Sequence, residues 1–144
     1  GCPILGGRDV LQHLPRPGVE FGFVSQGDNT VRMELSQRLI AAGLSLATIV
    51  HPRATMMPYV TIGAGTFIHA GAVIGAECCI GDGGIISALV TLGHESVLGR
   101  GVQLTPGVQV GGNVRIGEGT FVGLGAAILR SEEHTSELQS RPHI

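Results

Sequence analysis

The sequence predicts a small α/β unit followed by a parallel β-helix of roughly four coils. Strand and helix patterns alternate before residue 50, aliphatic residues recur at every sixth position from residue 56, and one hexad corner in three differs from the others. The chain of 144 residues has 24 glycines, four phenylalanines, one tyrosine and no tryptophan, a composition that suits a core of many small aliphatic layers.

Two strand patterns and a loop region occupy the first fifty residues. Residues 1–18 are short apolar patches broken by Gly and Pro, and they predict loop or edge structure. The segments VEFGFVS (19–25) and LSLATIV (44–50) are rich in β-forming residues and predict buried strands. With a helix between them these strands make a βαβ unit, whose crossover should be right-handed.

The segment TVRMELSQRLIAAG, between the two strands, predicts that helix. Three aliphatic side chains recur there at helical spacing: Val31, Leu35 and Leu39. Asp28 or Asn29 can cap the helix start, and Gly43 can end it. The turn at residues 27–29 presents backbone N–H groups where an anion would be favourable, although any βαβ unit has such a turn.

From residue 56 onward the repeat has a period of six. Apolar residues occupy every sixth position: Met56, Ile62, Ile68, Ile74, Ile80, Ile86, Leu92, Leu98, Leu104, Val110, Ile116, Val122 and Ile128. No helical face has this period, whereas short strands separated by tight turns do. Glycine follows many of these residues, which predicts turns with positive φ: Gly63, Gly75, Gly81, Gly93, Gly99, Gly111, Gly117 and Gly123.

The exceptions to that glycine predict the shape of the coil. His69, Ser87 and Thr105 replace it at intervals of 18 residues. One corner in three therefore differs, so a coil takes three hexads and its cross-section is triangular. Residues 18 apart then stack about 4.8 Å from each other, the ordinary spacing of paired strands.

Stacking at this interval brings out one ionisable pair. Gly112 follows His94 by one coil, and Asn113 follows Glu95 by one coil. The imidazole is therefore expected beneath a residue without a side chain and near an accessible backbone N–H. An imidazole that can accept a proton and an accessible backbone N–H would then lie within reach of one substrate. The alternative interpretation of His94 is a solvated turn residue.

One outward-facing ladder of the coils is apolar. Its members are Phe67, Ile85, Gln103 and Phe121. Two phenylalanines and an isoleucine make this ladder too apolar to remain in water. It therefore predicts an interface between protomers, with Gln103 facing a neighbouring subunit.

Charge and cysteine content argue against several other classes of protein. The net charge is −2 and no basic run is present, which argues against nucleic acid as a partner. Cys2, Cys78 and Cys79 suit neither a disulfide framework nor a zinc site. No apolar run has membrane-spanning length and no secretory signal is present. The sequence thus predicts a cytoplasmic protein with no membrane partner.

The combined segments resemble one enzyme family. AGLSLATIVHPRATMMPYVTIGAGTFIHAGAVIG and GHESVLGRGVQLTPGVQVGGNVRIGEGTFVGLGA are similar to hexapeptide-repeat, left-handed β-helix acyltransferases of the sialic acid O-acetyltransferase and UDP-amino-sugar N-acetyltransferase (NeuD-type) branch. VSQGDNTVR resembles the nucleotide-sugar domain of that branch. The resemblance implies a left-handed β-helix, a partial Rossmann-like βαβ unit, a homotrimer, acetyl-CoA as cosubstrate and no metal.

The resemblance also implies roles for individual residues. The His-(Asp/Glu) pair of such enzymes, whose histidine is the general base, matches His94 and Glu95. A Gly-Asn pair whose glycine N–H faces the thioester oxygen matches Gly112 and Asn113. The remaining implied contacts are Leu124 for acetyl-CoA and Ser87, Gln103, Gly27, Asp28 and Asn29 for the sugar substrate.

Three positions depart from the family's pattern. Gly93 stands where an acid usually precedes the catalytic histidine, Ser87 where asparagine is frequent, and Gln103 where a second histidine is common. A non-catalytic nucleotide-sugar binder or a structural trimer is therefore an alternative to the enzyme. A metal hydrolase of the β-helix carbonic anhydrase type is a weaker one, since no second histidine lies near His94 in the sequence. Both O- and N-acetylation are open.

The predicted organisation has three parts. Residues 1–50 form a nucleotide-sugar-binding βαβ domain without the family's first strand and glycine-rich loop, and residues 51–129 form the β-helix acyltransferase domain. The hexads stop at Leu129, and RSEEHTSELQS resembles a translated sequencing adapter. Residues 130–144 are therefore expected to be a non-native tail that truncates the β-helix.

Overall fold

The structure is a computed structural model that describes residues 3–4, 6–13 and 17–130. The expected non-native tail lies outside the described residues from residue 131 onward. Near the amino terminus a 3-10 helix spans Arg8–His13, where the sequence predicts loop or edge structure. Within the described ranges, no helix combines the length and the apolar character that crossing a membrane requires.

A strand–helix–strand unit precedes the solenoid. Strand β1 is Phe21–Gly22, helix α1 is Asn29–Ala41 and strand β2 is Ser45–Leu46. The two strands are parallel, with Phe21 opposite Ser45, so α1 is the connection between them. The predicted order of elements is confirmed, but each paired segment is two residues long and much shorter than predicted.

Helix α1 begins and ends as its sequence predicts. The Asp28 carboxylate caps the start by accepting a hydrogen bond from the Val31 N–H at 2.9 Å. Gly43 follows the last turn with φ +88°, a left-handed conformation that a residue without a Cβ adopts readily. The helix buries three side chains, two of them polar: Arg32, Ser36 and Leu39.

Short parallel strands arranged in three sheets form the rest of the described chain. The first sheet contains β3 (Ile49–Val50), β6 (Phe67–Ile68), β9 (Ile85–Ile86), β12 (Gln103–Leu104) and β15 (Phe121–Val122). The second contains β4 (Thr55–Met56), β7 (Val73–Ile74), β10 (Thr91–Leu92), β13 (Gln109–Val110) and β16 (Ala127–Ile128). The third contains β5 (Thr61–Ile62), β8 (Cys79–Ile80), β11 (Val97–Leu98) and β14 (Arg115–Ile116).

Strands pair with a register of 18 residues. Leu92, for example, lies opposite Ile74 on one side and Val110 on the other. Three strands therefore complete one coil, and the strands from Ile49 to Ile128 make a parallel β-solenoid of about four turns. The coil length and the three-sided cross-section predicted from the sequence are confirmed.

The solenoid begins one hexad earlier than the sequence predicts. The segment 44–50, predicted to be one strand, is divided in the structure. Ser45–Leu46 pairs with β1, whereas Ile49–Val50 pairs with Phe67–Ile68 in the first sheet. The prediction of a single strand is therefore wrong, because Val50 already occupies the inward position six residues before Met56.

The interior of the solenoid is a column of small and aliphatic side chains. Its members include Ile68, Ala72, Ile74, Cys78, Ile80, Ile86, Val90, Leu92, Leu98, Val102, Leu104, Val108 and Val110. The inward hydroxyl groups bridge neighbouring coils. Ser96 Oγ donates to the Gly111 carbonyl at 3.0 Å and accepts from the Val114 N–H at 3.1 Å, and Thr66 makes an equivalent pair of bonds at another corner.

The glycines that follow the inward aliphatic residues have a different cause from the predicted one. Positive φ angles occur two residues further on, as at Gly65 with φ +72°. The earlier glycines instead lie against the next coil. A Cβ on Gly75 would come within 2.5 Å of His94 N, and one on Gly99 within 2.5 Å of Glu118 N. The predicted positive φ is therefore wrong there. The close approach of successive backbones explains Gly63, Gly75, Gly81, Gly93 and Gly99, but not Gly117 or Gly123, where a Cβ would meet no described atom closer than 3.9 Å.

The outward ladder of the first sheet is partly covered by the chain itself. The rings of Phe23 and Phe67 pack edge to face with centroids 6.1 Å apart. Phe67, Ile85 and Gln103 are half-buried within the single chain, whereas Phe121 is 61% exposed. The amino-terminal unit thus supplies part of the covering that the sequence pattern assigns to another protomer.

Candidate functional site

His94 and Gly112 lie at the same corner of the solenoid in successive coils. His94 follows β10, and Gly112 follows β13, the strand paired with it. A Cβ on Gly112 would lie 2.6 Å from Nε2 of His94 and 2.9 Å from its Cδ2. The imidazole ring therefore rests against the Cα of Gly112, and the two residues meet as the 18-residue interval predicts.

Gly112 stands out among residues at its position in the hexad. The second residue after the inward apolar one carries a side chain at the other corners: Pro58, Ala64, Ala70, Ala76, Asp82, Ala88, His94, Arg100, Pro106, Glu118 and Leu124. The backbone at this position therefore accepts alanine. At residue 112 the ring of His94 occupies the space that a side chain would need, which explains the glycine.

A carboxylate contacts the imidazole at its other nitrogen. Nδ1 of His94 lies 2.8 Å from Oε2 of Glu95. A carboxylate only accepts hydrogen bonds, so in a neutral imidazole Nδ1 carries the hydrogen and Nε2 has its lone pair on the Gly112 side. The side chains are 65% and 56% exposed, so solvent screens their charge interaction and the contact acts mainly on ring orientation.

The backbone on either side of Gly112 is tied between coils. The Asn113 N–H donates to the His94 carbonyl at 2.7 Å, and the Gly111 N–H donates to the Ile128 carbonyl at 2.8 Å. The Gly112 N–H between them has no acceptor in the part of the chain that the structure describes. It is therefore a fixed donor that can bind a ligand oxygen.

The other implied contacts lie elsewhere on the solenoid. His94 is at the corner between the second and third sheets, whereas Ser87 and Leu124 are at the corner between the first and second. Gln103 is on the outer side of the first sheet, and Leu124 is 76% exposed. One chain therefore brings together His94, Glu95, Gly112 and Asn113 and keeps the other three residues apart from them.

The side-chain oxygen of Gln103 has an unusual environment. Oε1 is fully buried and has no hydrogen-bond donor among the described residues. Its neighbours along the ladder are Ile85 and Phe121, whose side chains carry no donor. A carbonyl oxygen that stays buried without a donor costs about 1–3 kcal/mol.

The residues of the Gly27–Asp28–Asn29 turn have structural partners. Asp28 caps α1, and the Gly27 carbonyl accepts from Arg32 Nη1 at 3.4 Å. Asn29 Nδ2 donates to the Gly119 carbonyl at 3.0 Å, and its Oδ1 accepts from Arg32 Nη2 at 2.7 Å. The turn is therefore anchored to an edge of the solenoid, the one between the third and first sheets.

Arg32 is a residue to which the sequence pattern gave no role. It is only 1% exposed, and burial lowers the pKa of its guanidinium from the ordinary value, while the Asp28 carboxylate opposes that shift. One sequence signal was available. Asn29, Arg32 and Ser36 follow one another at helical spacing, so α1 has a polar stripe on a side that packs inside the protein.

Two further histidines pair at the corner between the first and second sheets. The rings of His51 and His69 stack with centroids 6.1 Å apart and an angle of 14° between their planes. The His51 Nδ1 accepts from the Arg53 N–H at 3.1 Å. Across the described ranges, no three His, Cys, Asp or Glu side chains are grouped so that they could hold a metal ion.

Comparison with known proteins gives matches among solved structures. No protein-family profile and no curated protein sequence matches the chain. The acetyltransferase domain of PglB from Neisseria gonorrhoeae FA1090 has a TM-score of 0.83 at 33% identity, over 88% of this chain and 62% of that chain. The structure of this domain in complex with acetyl coenzyme A has a TM-score of 0.82, with the same identity and coverage. This chain thus spans less than two thirds of the PglB domain.

Two other solved structures share the fold. PerB from Caulobacter crescentus, in complex with CoA and GDP-perosamine, has a TM-score of 0.55 at 29% identity, over 90% of this chain and 75% of that chain. WeeI from Acinetobacter baumannii AYE has a TM-score of 0.72 at 19% identity, over 90% of this chain and 68% of that chain. At this identity the similarity supports the fold alone. The chain is therefore similar in structure to an acetyltransferase domain and to a protein that binds CoA and a nucleotide sugar.

Proposed function

We propose that this chain belongs to an acetyl-CoA-dependent acyltransferase that acetylates a hydroxyl or an amine of a nucleotide-linked sugar. The observation that carries the proposal is the packing of the His94 imidazole, contacted by Glu95, against Gly112. Residues 51–129 are then a left-handed β-helix acyltransferase domain of the NeuD type. Residues 1–50 are then part of a Rossmann-like nucleotide-sugar domain.

His94 acts as the general base in this proposal. Its Nε2 accepts the proton of the sugar hydroxyl or amine as that group attacks the carbonyl carbon of the thioester. A C–O or C–N bond forms, the C–S bond breaks, and the proton passes to the departing CoA thiolate. Transfer is direct in this proposal, without an acyl-enzyme. Cys78 is buried in the core, and burial raises the pKa of its thiol, which disfavours Cys78 as a nucleophile.

The Gly112 N–H stabilises the oxyanion in this proposal. It donates a hydrogen bond to the carbonyl oxygen of the thioester as negative charge develops there. The amides on either side of it are bonded to neighbouring coils, which supports a donor that is fixed before the reaction. Asn113 and Leu124 are then contacts for acetyl-CoA.

The sugar-binding part of the site requires more than one protomer in this proposal. Within one chain, Ser87, Gln103 and Leu124 lie on other edges than His94, which supports a site completed by a neighbouring copy in a homotrimer. The loop at residues 27–29 is then the contact with the nucleotide sugar. It adjoins a cavity of about 300 Å³ lined in part by Phe23, Ser25 and Gln26.

The solved neighbours support both substrates. The PglB domain is recorded in complex with acetyl coenzyme A, and PerB in complex with CoA and GDP-perosamine. The similarity to PglB reaches 33% identity over most of this chain, which supports a shared reaction class.

The test is an assay of acetyl transfer from acetyl-CoA to a panel of acceptors, in which the released CoA thiol is measured. The panel contains GDP-perosamine, UDP-linked amino sugars and sialic acid. Replacement of the base in His94→Ala should lower the rate by about 10²- to 10⁴-fold. His69→Ala is the matched control, because His69 stacks on His51 at another corner. An unchanged rate in His94→Ala contradicts the proposal, and sugar binding without any turnover by the wild type favours a non-catalytic binder.

A further inference from the structure

Arg32 joins helix α1 to two successive coils of the solenoid. Its Nε donates to the Gly83 carbonyl at 2.9 Å, and its Nη2 donates to the Gly101 carbonyl at 2.9 Å. Both glycines have positive φ, +64° and +65°. A Cβ on Gly83 would lie 2.7 Å from the sulfur of Met33, so the absence of side chains on this edge lets α1 approach it.

The same guanidinium holds the loop in front of the helix. Nη1 donates to the carbonyls of Gln26 at 3.0 Å and Gly27 at 3.4 Å, and Nη2 donates to Asn29 Oδ1 at 2.7 Å. A guanidinium has five N–H groups, and all five are therefore used. Three of these bonds go to the loop and two go to the solenoid edge.

We propose that Arg32 is a positioning residue that sets the place of the nucleotide-sugar loop, residues 26–29, relative to the acyl-transfer solenoid. This inference rests on the proposed function, because it takes residues 27–29 as contacts of the sugar substrate. Arg32 is buried and does not line the corner of His94, so it acts on substrate placement and takes no part in proton transfer.

Lysine is not an equivalent substitute at this position. An ammonium has three N–H groups on one atom, whereas the five acceptors around Arg32 surround a planar fork. Arg32→Lys keeps the charge but leaves at least two of the five acceptor oxygens without their donor from residue 32. The loop and the edge are then no longer held by one rigid group, so the loop should open more often while each part keeps its own structure.

The experiment compares Arg32→Lys with Arg38→Lys in the full chain. Arg38 is the matched control, because it lies on the same helix with an exposed side chain and a weak 4.0 Å contact to Glu34. KM for the best acceptor of the panel, KM for acetyl-CoA and kcat are measured. In parallel, hydrogen exchange is followed at the amides of residues 26–29 and at the corner that contains residues 93–96 and 111–114.

Arg32→Lys should raise KM for the sugar acceptor by about tenfold or more, the effect expected from one lost hydrogen bond to a charged group. KM for acetyl-CoA and exchange at the His94 corner should stay at wild-type values, while the loop amides exchange faster. Two outcomes overturn the inference. One is unchanged hydrogen exchange at the loop amides, and the other is an equal rise in both KM values together with faster exchange at the His94 corner. Absence of turnover by the wild type counts against the proposed function, and the exchange measurement still decides the role of Arg32.

Discussion

Glu95 and Asn113 occupy the same turn position in successive coils, each with a φ of +56°. Asparagine is tolerated in this left-handed region, whereas for glutamate it is uncommon and costs of order 1 kcal/mol. Glu95 nevertheless stands there, 2.8 Å from the His94 ring. Tyr59, Glu77 and Leu89 also have positive φ at this position, so the contact with His94, and not the backbone conformation, distinguishes Glu95.

Glu95→Asn should separate stability from activity. We expect the free energy of unfolding to rise by about 0.5–1 kcal/mol, because asparagine suits the backbone. We expect kcat/KM to fall by roughly tenfold, because the ring loses its carboxylate. Urea unfolding and acetyl-transfer kinetics measure the two effects. Glu77→Asn is the control, since Glu77 has φ +61° and follows Ala76 rather than a histidine, so it should gain stability with unchanged activity.

Gly112→Ala should impair the site without unfolding the solenoid. Alanine occurs at the same hexad position elsewhere, but here its Cβ would lie 2.6 Å from His94 Nε2 and must displace the ring. We expect kcat/KM to fall by roughly 10²-fold with little change in Tm. Gly117→Ala is the matched control, because a Cβ there has its nearest neighbour at 3.9 Å. An active Gly112→Ala variant would mean that the ring position is not required.

The buried thiol of Cys78 should make the folded protein less stable at alkaline pH. Burial raises the pKa of its thiol in the folded protein above the value in the unfolded chain. Above about pH 8.5 the unfolded chain therefore holds fewer protons than the folded protein, and the free energy of unfolding falls as pH rises. Cys78→Ser should flatten this limb, since Ser96 already fills the equivalent position one coil later. Cys79→Ser is the control, because Cys79 lies on the outer face. If the free energy of unfolding of Cys78→Ser falls at alkaline pH as it does in the wild type, the effect does not come from Cys78.

Phe121 should lie in the contact between protomers. Its ring is 61% exposed on the outer side of the first sheet, where the amino-terminal unit leaves the ladder open. We expect a trimer in sedimentation at micromolar concentration and dissociation in Phe121→Lys, because a lysine ammonium resists burial in an apolar contact. Arg115→Lys, on the third sheet, should sediment like the wild type. A stable wild-type monomer would remove the protomer-interface interpretation of the ladder.

The solenoid is predictable because its information is local and periodic. The neighbours of Leu92 are 18 residues away on either side, so counting along the chain is enough to identify them. The same counting brings His94 to Gly112. It does not place Ser87 or Gln103 relative to His94, because those residues lie in other columns and their relation depends on the path of the corners.

The attachment of the amino-terminal unit was beyond such counting. Arg32 bonds to the carbonyls of Gly83 and Gly101, which lie 51 and 69 residues further along the chain. These contacts depend on which way backbone oxygens point at an edge, and side-chain patterns carry no record of that. The prediction of positive φ at the glycines that follow the inward aliphatic residues failed for a related reason. Where their small size matters, it allows contact between coils and is not needed for the dihedral angle.

Because every coil has eighteen residues, the effect of inserting a whole coil depends on where it is inserted. An additional coil spliced in between Ala72 and Val73 would carry His94 and Gly112 along together, with their contact preserved. It would leave the corner in register with Gly83 and Gly101, to which Arg32 of helix α1 bonds, but would move them all by about 4.8 Å from Phe67, on which Phe23 packs. Splicing the coil in between Val108 and Gln109 would instead part the two residues. The amino-terminal unit therefore fixes the number of coils between Phe67 and Gly101, and the reactive corner requires His94 and Gly112 in adjacent coils.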